Sequence, residues 1–183
     1  MTEFGSLILL NFGGDNAGEE DPAETQAHLV AKVLARERLN PDVVWSPPRT
    51  KSLPLVSGVL GALRRLPRIV NTDRLLDVPA AWPSGAWSLH ADADGALLPG
   101  DTHLVLMASV AMAGFYRNQI VPLLLDRQTV LVIASPESTG GLRQVLLGND
   151  RQVHDGEEGP SGRPLVYTFD RKLRPVDRTG TFI

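Results

Sequence analysis

Two short stretches of this chain place side chains able to do chemistry directly after apolar runs. They are Asn11-Phe12-Gly13-Gly14-Asp15, after Leu7–Leu10, and Ser135-Pro136-Glu137-Ser138-Thr139, after Val130–Ala134. In an α/β protein the crevice at the carboxyl ends of parallel strands is where ligands bind, so Ser135 stands where a catalytic residue is expected. The pattern around it is not that of a hydrolase, because the Gly-x-Ser-x-Gly turn that exposes a serine nucleophile is absent. Pro136 suits the first turn of a helix, and Ser135 reads as the cap of that helix. Gly13-Gly14 and Gly140-Gly141 lack the Lys-Ser/Thr of a phosphate loop and read as turn and packing glycines. His90-Ala91-Asp92-Ala93-Asp94-Gly95 supplies too few ligands for a metal loop, and nothing nearby fixes its carboxylates as an acid–base pair. It reads as a solvated turn, and no metal or cofactor site is expected. His28, His103 and His154 read as surface histidines, and Glu19-Glu20-Asp21 as charges favoured by a helix start.

The elements that must position these residues follow from hydrophobic patterning. Val130–Ala134 has the length and β-branched content of a strand buried on both faces, and Leu142, Val145 and Leu146 repeat at helical spacing behind it. Leu7–Leu10 predicts a second strand, Asp42–Ser46 a third, Arg68–Asn71 a fourth and Leu165–Phe169 a fifth. Asp21-Pro22-Ala23-Glu24 is a helix start, and Ala27, Val30, Ala31 and Leu34 give that helix its buried face. Leu53, Val56, Leu60 and Leu63 mark another helix. Residues 104–125 are mostly helical in pattern, with Val105–Met107 open to a strand start. Residues 77–101 are rich in Pro, Gly and Ala, hold Trp82 and Trp87, and read as an excursion over the sheet edge. Gly156–Gly162 reads as a polar turn, and the basic tail Arg171–Ile183 as surface. Strands alternating with helices predict an α/β three-layer sandwich with a mostly parallel central sheet.

Composition narrows the function classes. The 183 residues suit one domain, and 43% apolar with 21% charged residues is ordinary for a soluble globular protein. A net charge of -3 argues against nonspecific nucleic-acid binding. The absence of cysteine removes disulfides, thiolate catalysis and cysteine metal sites. No apolar stretch reaches the roughly 20 residues that cross a bilayer, so no membrane insertion is expected. The opening residues carry no basic region and do not read as a signal or transit peptide. The expectation is an intracellular protein, cytoplasmic by default, with a mitochondrial or other organellar place left open.

The order of motifs resembles the cofactor-dependent phosphoglycerate mutases of the histidine phosphatase superfamily. That family's first strand ends in Arg-His-Gly-Glu; here the stretch reads Asn11-Phe12-Gly13-Gly14-Asp15. Its Ser-x-x-x-Arg-Ala is similar, one residue out of register, to Ser46-Pro47-Pro48-Arg49-Thr50-Lys51, and its Arg-Leu-x-Glu to Arg74-Leu75-Leu76-Asp77. Its Ser-Leu helix and Val-Pro turn are similar to Ser109-Val110 through Ile120-Val121-Pro122. Val130–Pro136 looks like its Val-Leu-Ile-Ala-Ala-His-Gly, and Gly162–Asp170 like its Gly-x-Pro-x-Val-Tyr-x-Leu-Asp. The resemblance spans nearly the whole chain as a single mutase-like domain, residues 1–183, with a middle shortened around 77–103.

The resemblance implies a phosphoryl transfer through a phosphohistidine, which needs a nucleophilic imidazole, a second imidazole, cations around the phosphate and a proton donor. Matched residue by residue, Phe12 falls on the nucleophilic His, Asn11 on the Arg before it and Ser135 on the second His. Asp77 keeps a carboxylate near the acid's position, and Arg49 keeps one guanidinium. A phenyl ring has no lone pair, and Asp15 and Glu137 add negative charge that repels a phosphate dianion. At most, helix-terminal amides and Arg49 hold an anion weakly. The expectation is a pseudoenzyme with no catalytic residues, retained as a structural or protein-interaction subunit of a larger assembly. Trp82 and Trp87 are candidate contact residues for protein partners, or core residues in equal measure. Arg64-Arg65 and Arg171-Lys172 read as solvated faces that could dock an acidic partner. The alternative is an enzyme or sensor that binds a small phosphorylated metabolite through Arg49, Asp77, Ser135 and Glu137.

Overall fold

The computed structural model describes residues 4–11, 22–47, 53–63, 66–72, 112–147, 164–176 and 181–182. The strand predicted from the most continuous apolar run, β4 (Val130–Ala134), lies inside the sheet, and all five of its residues are buried. It is flanked on one side by β1 (Leu7–Asn11) and on the other by β2 (Val43–Ser46), both parallel to it. β3 (Arg68–Asn71) pairs parallel with β2. On the far side β5 (Leu165–Tyr167) runs antiparallel to β1, and β6 (Thr181–Phe182) antiparallel to β5. The order is therefore β3-β2-β4-β1-β5-β6.

Helices cover both faces, which is why the inner strands are apolar up to their last residues, Asn11 in β1 and Ser46 in β2. Ile8, Leu10, Val44, Leu131 and Ile133 point to one face, where they pack with residues of α1 (Pro22–Arg36) and α2 (Leu53–Ala62). Leu7, Leu9, Val43, Trp45, Val130, Val132 and Ala134 point to the other, against helical residues 112–125 (α3) and α4 (Pro136–Leu147). The predicted three-layer sandwich is the observed one. Ala27, Val30, Ala31 and Leu34 are buried as expected. In α2 the buried face is centred on Leu55, Val56 and Val59, with Leu60 and Leu63 only partly buried against it. A helix so uniformly apolar carries little periodic signal to orient it. The helices cross where Gly58 meets Ala27: a Cβ at Gly58 would lie 2.4 Å from the Ala27 methyl.

The last helix before β4 is irregular for a stated reason. Residues 116–120 form a π-helical turn in which Val121 N–H donates to the Tyr116 carbonyl. Pro122 follows at once. A proline inside a helix removes one hydrogen bond and crowds the carbonyl four residues back; a widened turn directly before it accommodates the ring.

Two helices end alike. After α1, Arg38 takes φ 55° while Leu39 N–H donates to Leu34 O (2.9 Å) and Arg38 N–H to Ala35 O (3.2 Å). After α3, Arg127 takes φ 60° while Gln128 N–H donates to Leu123 O (3.0 Å) and Arg127 N–H to Leu124 O (3.0 Å). Both are Schellman ends with arginine at the left-handed position that glycine normally fills. Arg127→Gly is therefore expected to raise stability by up to about 1 kcal/mol, since relief of backbone strain outweighs the added freedom of the unfolded chain. Urea denaturation checks it; a loss of stability would mean the arginine side chain contributes more than the strain costs.

The tail is exposed at Arg171, Lys172, Arg174 and Val176, as expected of a surface segment, and it also contributes a strand that was not predicted. Thr181–Phe182 adds a sixth strand, pairing Leu165 with Phe182 and Val166 with Thr181. The predicted strand 165–169 stops at Tyr167, and beyond it Phe169 bridges Pro175 across a turn. The sequence-predicted excursion over 77–101, the strand start at Val105–Met107 and the turn at Gly156–Gly162 lie outside the described residues.

Candidate functional site at the strand ends

Parallel pairing fixes what meets at the carboxyl ends of the central strands. The register sets Leu7 against Val130 and ends with Asn11 against Ala134, so Asn11 and Ser135 leave β1 and β4 side by side. Two of the residues singled out from sequence are thus brought together by the sheet. Phe12, Arg49 and Asp77 lie outside the described residues, as do Asp15, the His90–Asp94 cluster, Trp82 and Trp87; of Glu137 only the helical backbone is described.

Ser135 is a helix cap. Its Oγ accepts the backbone N–H of Ser138 at 3.3 Å, the third residue of α4, and donates to the Ser138 hydroxyl at 3.4 Å. The Ser135 carbonyl accepts from Thr139 N–H at 3.0 Å and from the Thr139 hydroxyl at 2.9 Å. The same hydroxyl is hydrogen-bonded to Asn11 Oδ1, so its single proton is shared between two acceptors. Ser138 and Thr139 are buried. The network is neutral throughout, and it ties the end of β1 to the first turn of α4. Ser135→Ala is expected to cost about 1 kcal/mol, as loss of a capping side chain does. Thermal unfolding measures it, and an unchanged midpoint would show that the cap contributes nothing here.

Ser138 and Thr139 were not singled out as site residues from the sequence. The available signal was the spacing Ser135-x-x-Ser138-Thr139, in which a cap is followed by hydroxyls one turn on. At the end of β2, Ser46 is buried; its Oγ donates to Pro47 O at 3.2 Å, and its own carbonyl accepts Thr72 N–H at 3.0 Å. Because side chains alternate across a strand, Ser46 belongs to the face of α1 and α2, away from Asn11.

Among the described residues the single histidine is His28, exposed on α1. Burial pushes the Tyr116 phenol up to about 12, so it stays neutral and is no acid or base near neutrality. Among the described residues no group of three or more His, Asp or Glu side chains could hold a metal ion, and no helix is long and apolar enough to cross a membrane.

No protein-family model matches the chain. Curated proteins do. A 2,3-bisphosphoglycerate-dependent phosphoglycerate mutase 2 of Lactiplantibacillus plantarum is 33% identical over 93 residues, covering 49% of this chain and 38% of the relative. The corresponding mutase of Streptomyces griseus is 35% identical over 83 residues, or 45% and 33% of the two chains. That of Haemophilus influenzae is 34% identical over 101 residues, or 52% and 44%. The matches thus span less than half the length of these relatives. Among solved structures, a phosphoserine phosphatase from Entamoeba histolytica in complex with 3-phosphoglyceric acid superposes with a TM-score of 0.59 at 15% identity, covering 94% of each chain. A mycobacterial glucosyl-3-phosphoglycerate phosphatase gives 0.58 at 15% identity, covering 93% of this chain and 96% of that one. Over about half its length the chain is similar in sequence to phosphoglycerate mutases, and its fold is that of these phosphatases. The pairing of β1 with β4 brings together Asn11, which the motif resemblance matched to the family's Arg before the nucleophilic His, and Ser135, which it matched to the second His. They hold a carboxamide and a hydroxyl, each bonded within the fold.

Proposed function

We propose that this mutase-like domain is catalytically silent and serves as a structural or protein-interaction subunit of a larger assembly. The observation that carries the reading is the network joining Asn11, Thr139, Ser135 and Ser138 across the ends of β1 and α4. Those side chains are neutral and are engaged in holding a helix cap. Next to them the sequence supplies Phe12, which has no lone pair for a phosphoryl group. The curated relatives are named for dependence on 2,3-bisphosphoglycerate. Asn11, Phe12 and Ser135 do not fit that group as a phosphoryl donor: Asn11 and Phe12 offer neither nucleophile nor cation, and the Ser135 hydroxyl is engaged in the helix cap. A fold can outlast its chemistry because packing and site are separable.

The test has two arms. Protein isolated gently from its native source is sized, and what accompanies it is identified; a stable assembly larger than the chain is expected. The purified chain is incubated with 2,3-bisphosphoglycerate and with 3-phosphoglycerate, and acid-labile phosphoprotein, mutase product and free phosphate are measured. The expected rates equal the protein-free blank. Turnover abolished by Asp77→Asn would sink the reading. Saturable binding of 3-phosphoglycerate without turnover, by a protein that runs alone, would move the function to a metabolite sensor.

A further inference from the structure

The turn between Phe169 and Pro175 is built more firmly than an exposed connection requires. Asp170 organises it: one carboxylate oxygen accepts Lys172 N–H at 2.8 Å and Arg174 N–H at 2.9 Å. The main chain closes around it, with Asp170 N–H donating to Arg174 O and Leu173 N–H to Asp170 O, both at 2.9 Å. Leu173 takes φ 56° and packs partly buried against the core, beside the buried Phe169. Below the tip, Val176 N–H donates to Thr168 O at 2.9 Å and Phe169 pairs with Pro175. The backbone N–H groups of Arg174 and Lys172 hold the Asp170 carboxyl below its usual range, so it stays ionised and keeps the turn closed at neutral pH.

This frame displays Arg171, Lys172 and Arg174, all exposed, with Val176 65% exposed on the segment leaving the turn. Lys172 and Arg174 stand beside one carboxylate, whose hydrogen bonds go to their backbone N–H groups. The chain as a whole is negative, at -3. A local positive knuckle on a negative protein favours a short acidic segment over a long polyanion, whose remaining charges the rest of the surface would repel. Exposed Val176 adds an apolar contact of the kind a polypeptide can use and a phosphate backbone cannot.

We propose that residues 170–176 form a preorganised docking knuckle for an acidic polypeptide segment of a protein partner. Holding the cations on a fixed turn lowers the ordering cost of binding, and charge complementarity sets orientation. The inference gives a partner class to the interaction role proposed above. It is read by peptide binding, whereas loss of catalysis is read by phosphate release, so either can fail without the other.

The experiment uses the full chain and a short fluorescent peptide of Glu and Leu residues. Saturable binding that weakens as salt is added is expected. The double substitution K172E/R174E should weaken it about tenfold, while R64E/R65E, the same charge change at the sequence's other basic cluster, should leave it within twofold. The deciding variant is Asp170→Asn, with folding verified by circular dichroism at the assay temperature. If affinity followed net charge alone, removing a carboxylate would strengthen binding. If the fixed turn matters, binding weakens, by about threefold. Stronger or unchanged binding in D170N overturns the proposal. So does equal loss with R64E/R65E, tighter binding of a single-stranded oligonucleotide of the same charge, or no saturable peptide binding at low salt.

Discussion

Gly5→Ala lowers the unfolding free energy by about 3 kcal/mol, because the added methyl has nowhere to go. A Cβ on Gly5 would lie 1.8 Å from the Gln128 carbonyl oxygen and 2.7 Å from its carbon. Both neighbours are backbone atoms, and both chains are held. Gly5 N–H donates to Leu124 O at 2.9 Å, and Ser6 O accepts Val130 N–H at 2.8 Å. Gln128 closes the Schellman end of α3, and Thr129 exchanges hydrogen bonds with Asp42: its N–H donates to the Asp42 carboxylate at 2.9 Å and its carbonyl accepts Asp42 N–H at 2.8 Å. Relieving the clash means moving the entry to β1 or the entry to β4, and both lead into the centre of the sheet. A midpoint about 6–12 °C lower is expected in thermal unfolding. A midpoint unchanged within a degree would show that the 126–129 connection yields at no cost.

What the sequence disclosed depends on how local each signal was. β4 and β1 were legible because central parallel strands must be apolar on both faces, and α1 because its buried positions recur at three and four. The role of Ser135 was legible for the same reason, since a cap followed by proline is decided within a few residues. β6 was not. Two residues carry no period, and Thr181–Phe182 is a strand only because β5 lies beside it. Nor was the π turn at 116–120, which the local sequence marks only through Pro122. Arg38 and Arg127 sit in left-handed conformations without the glycine that announces a helix end, so the ends of α1 and α3 had no sequence marker.

The same distinction applies to the site. Asn11 and Ser135 were named from two separate strand ends, and the sheet register makes them neighbours. Thr139, the residue that connects them, was missed because its partner is 128 positions away in sequence. Serine and threonine in a first helical turn are ordinary capping chemistry, and nothing local distinguishes one that also reaches across to a neighbouring strand. Phe12 is an argument from residue type: whatever its surroundings, a phenyl ring cannot carry a phosphoryl group.

Leu131→Ala is expected to cost about 2–5 kcal/mol. Leu131 is completely buried, sits opposite Ile8 on β1 and Val44 on β2, and belongs to the cluster formed with Val30, Leu34, Leu55 and Val59. Sheet neighbours hold it on both sides and helices cover it, so the upper half of that range is favoured. Urea denaturation gives the number; a cost under about 1 kcal/mol would mean that α1 and α2 settle onto the sheet. The comparison with Ser135→Ala bears on function. If the fold is retained for its surface, Leu131→Ala should reduce co-isolated partner in proportion to the folded protein lost, and Ser135→Ala should leave it nearly unchanged. The opposite result, with a still-folded Ser135→Ala protein stripped of its partner, would place the contact at the ends of β1 and β4. The old crevice would then be an interface, and its neutral side chains would be explained by what they touch.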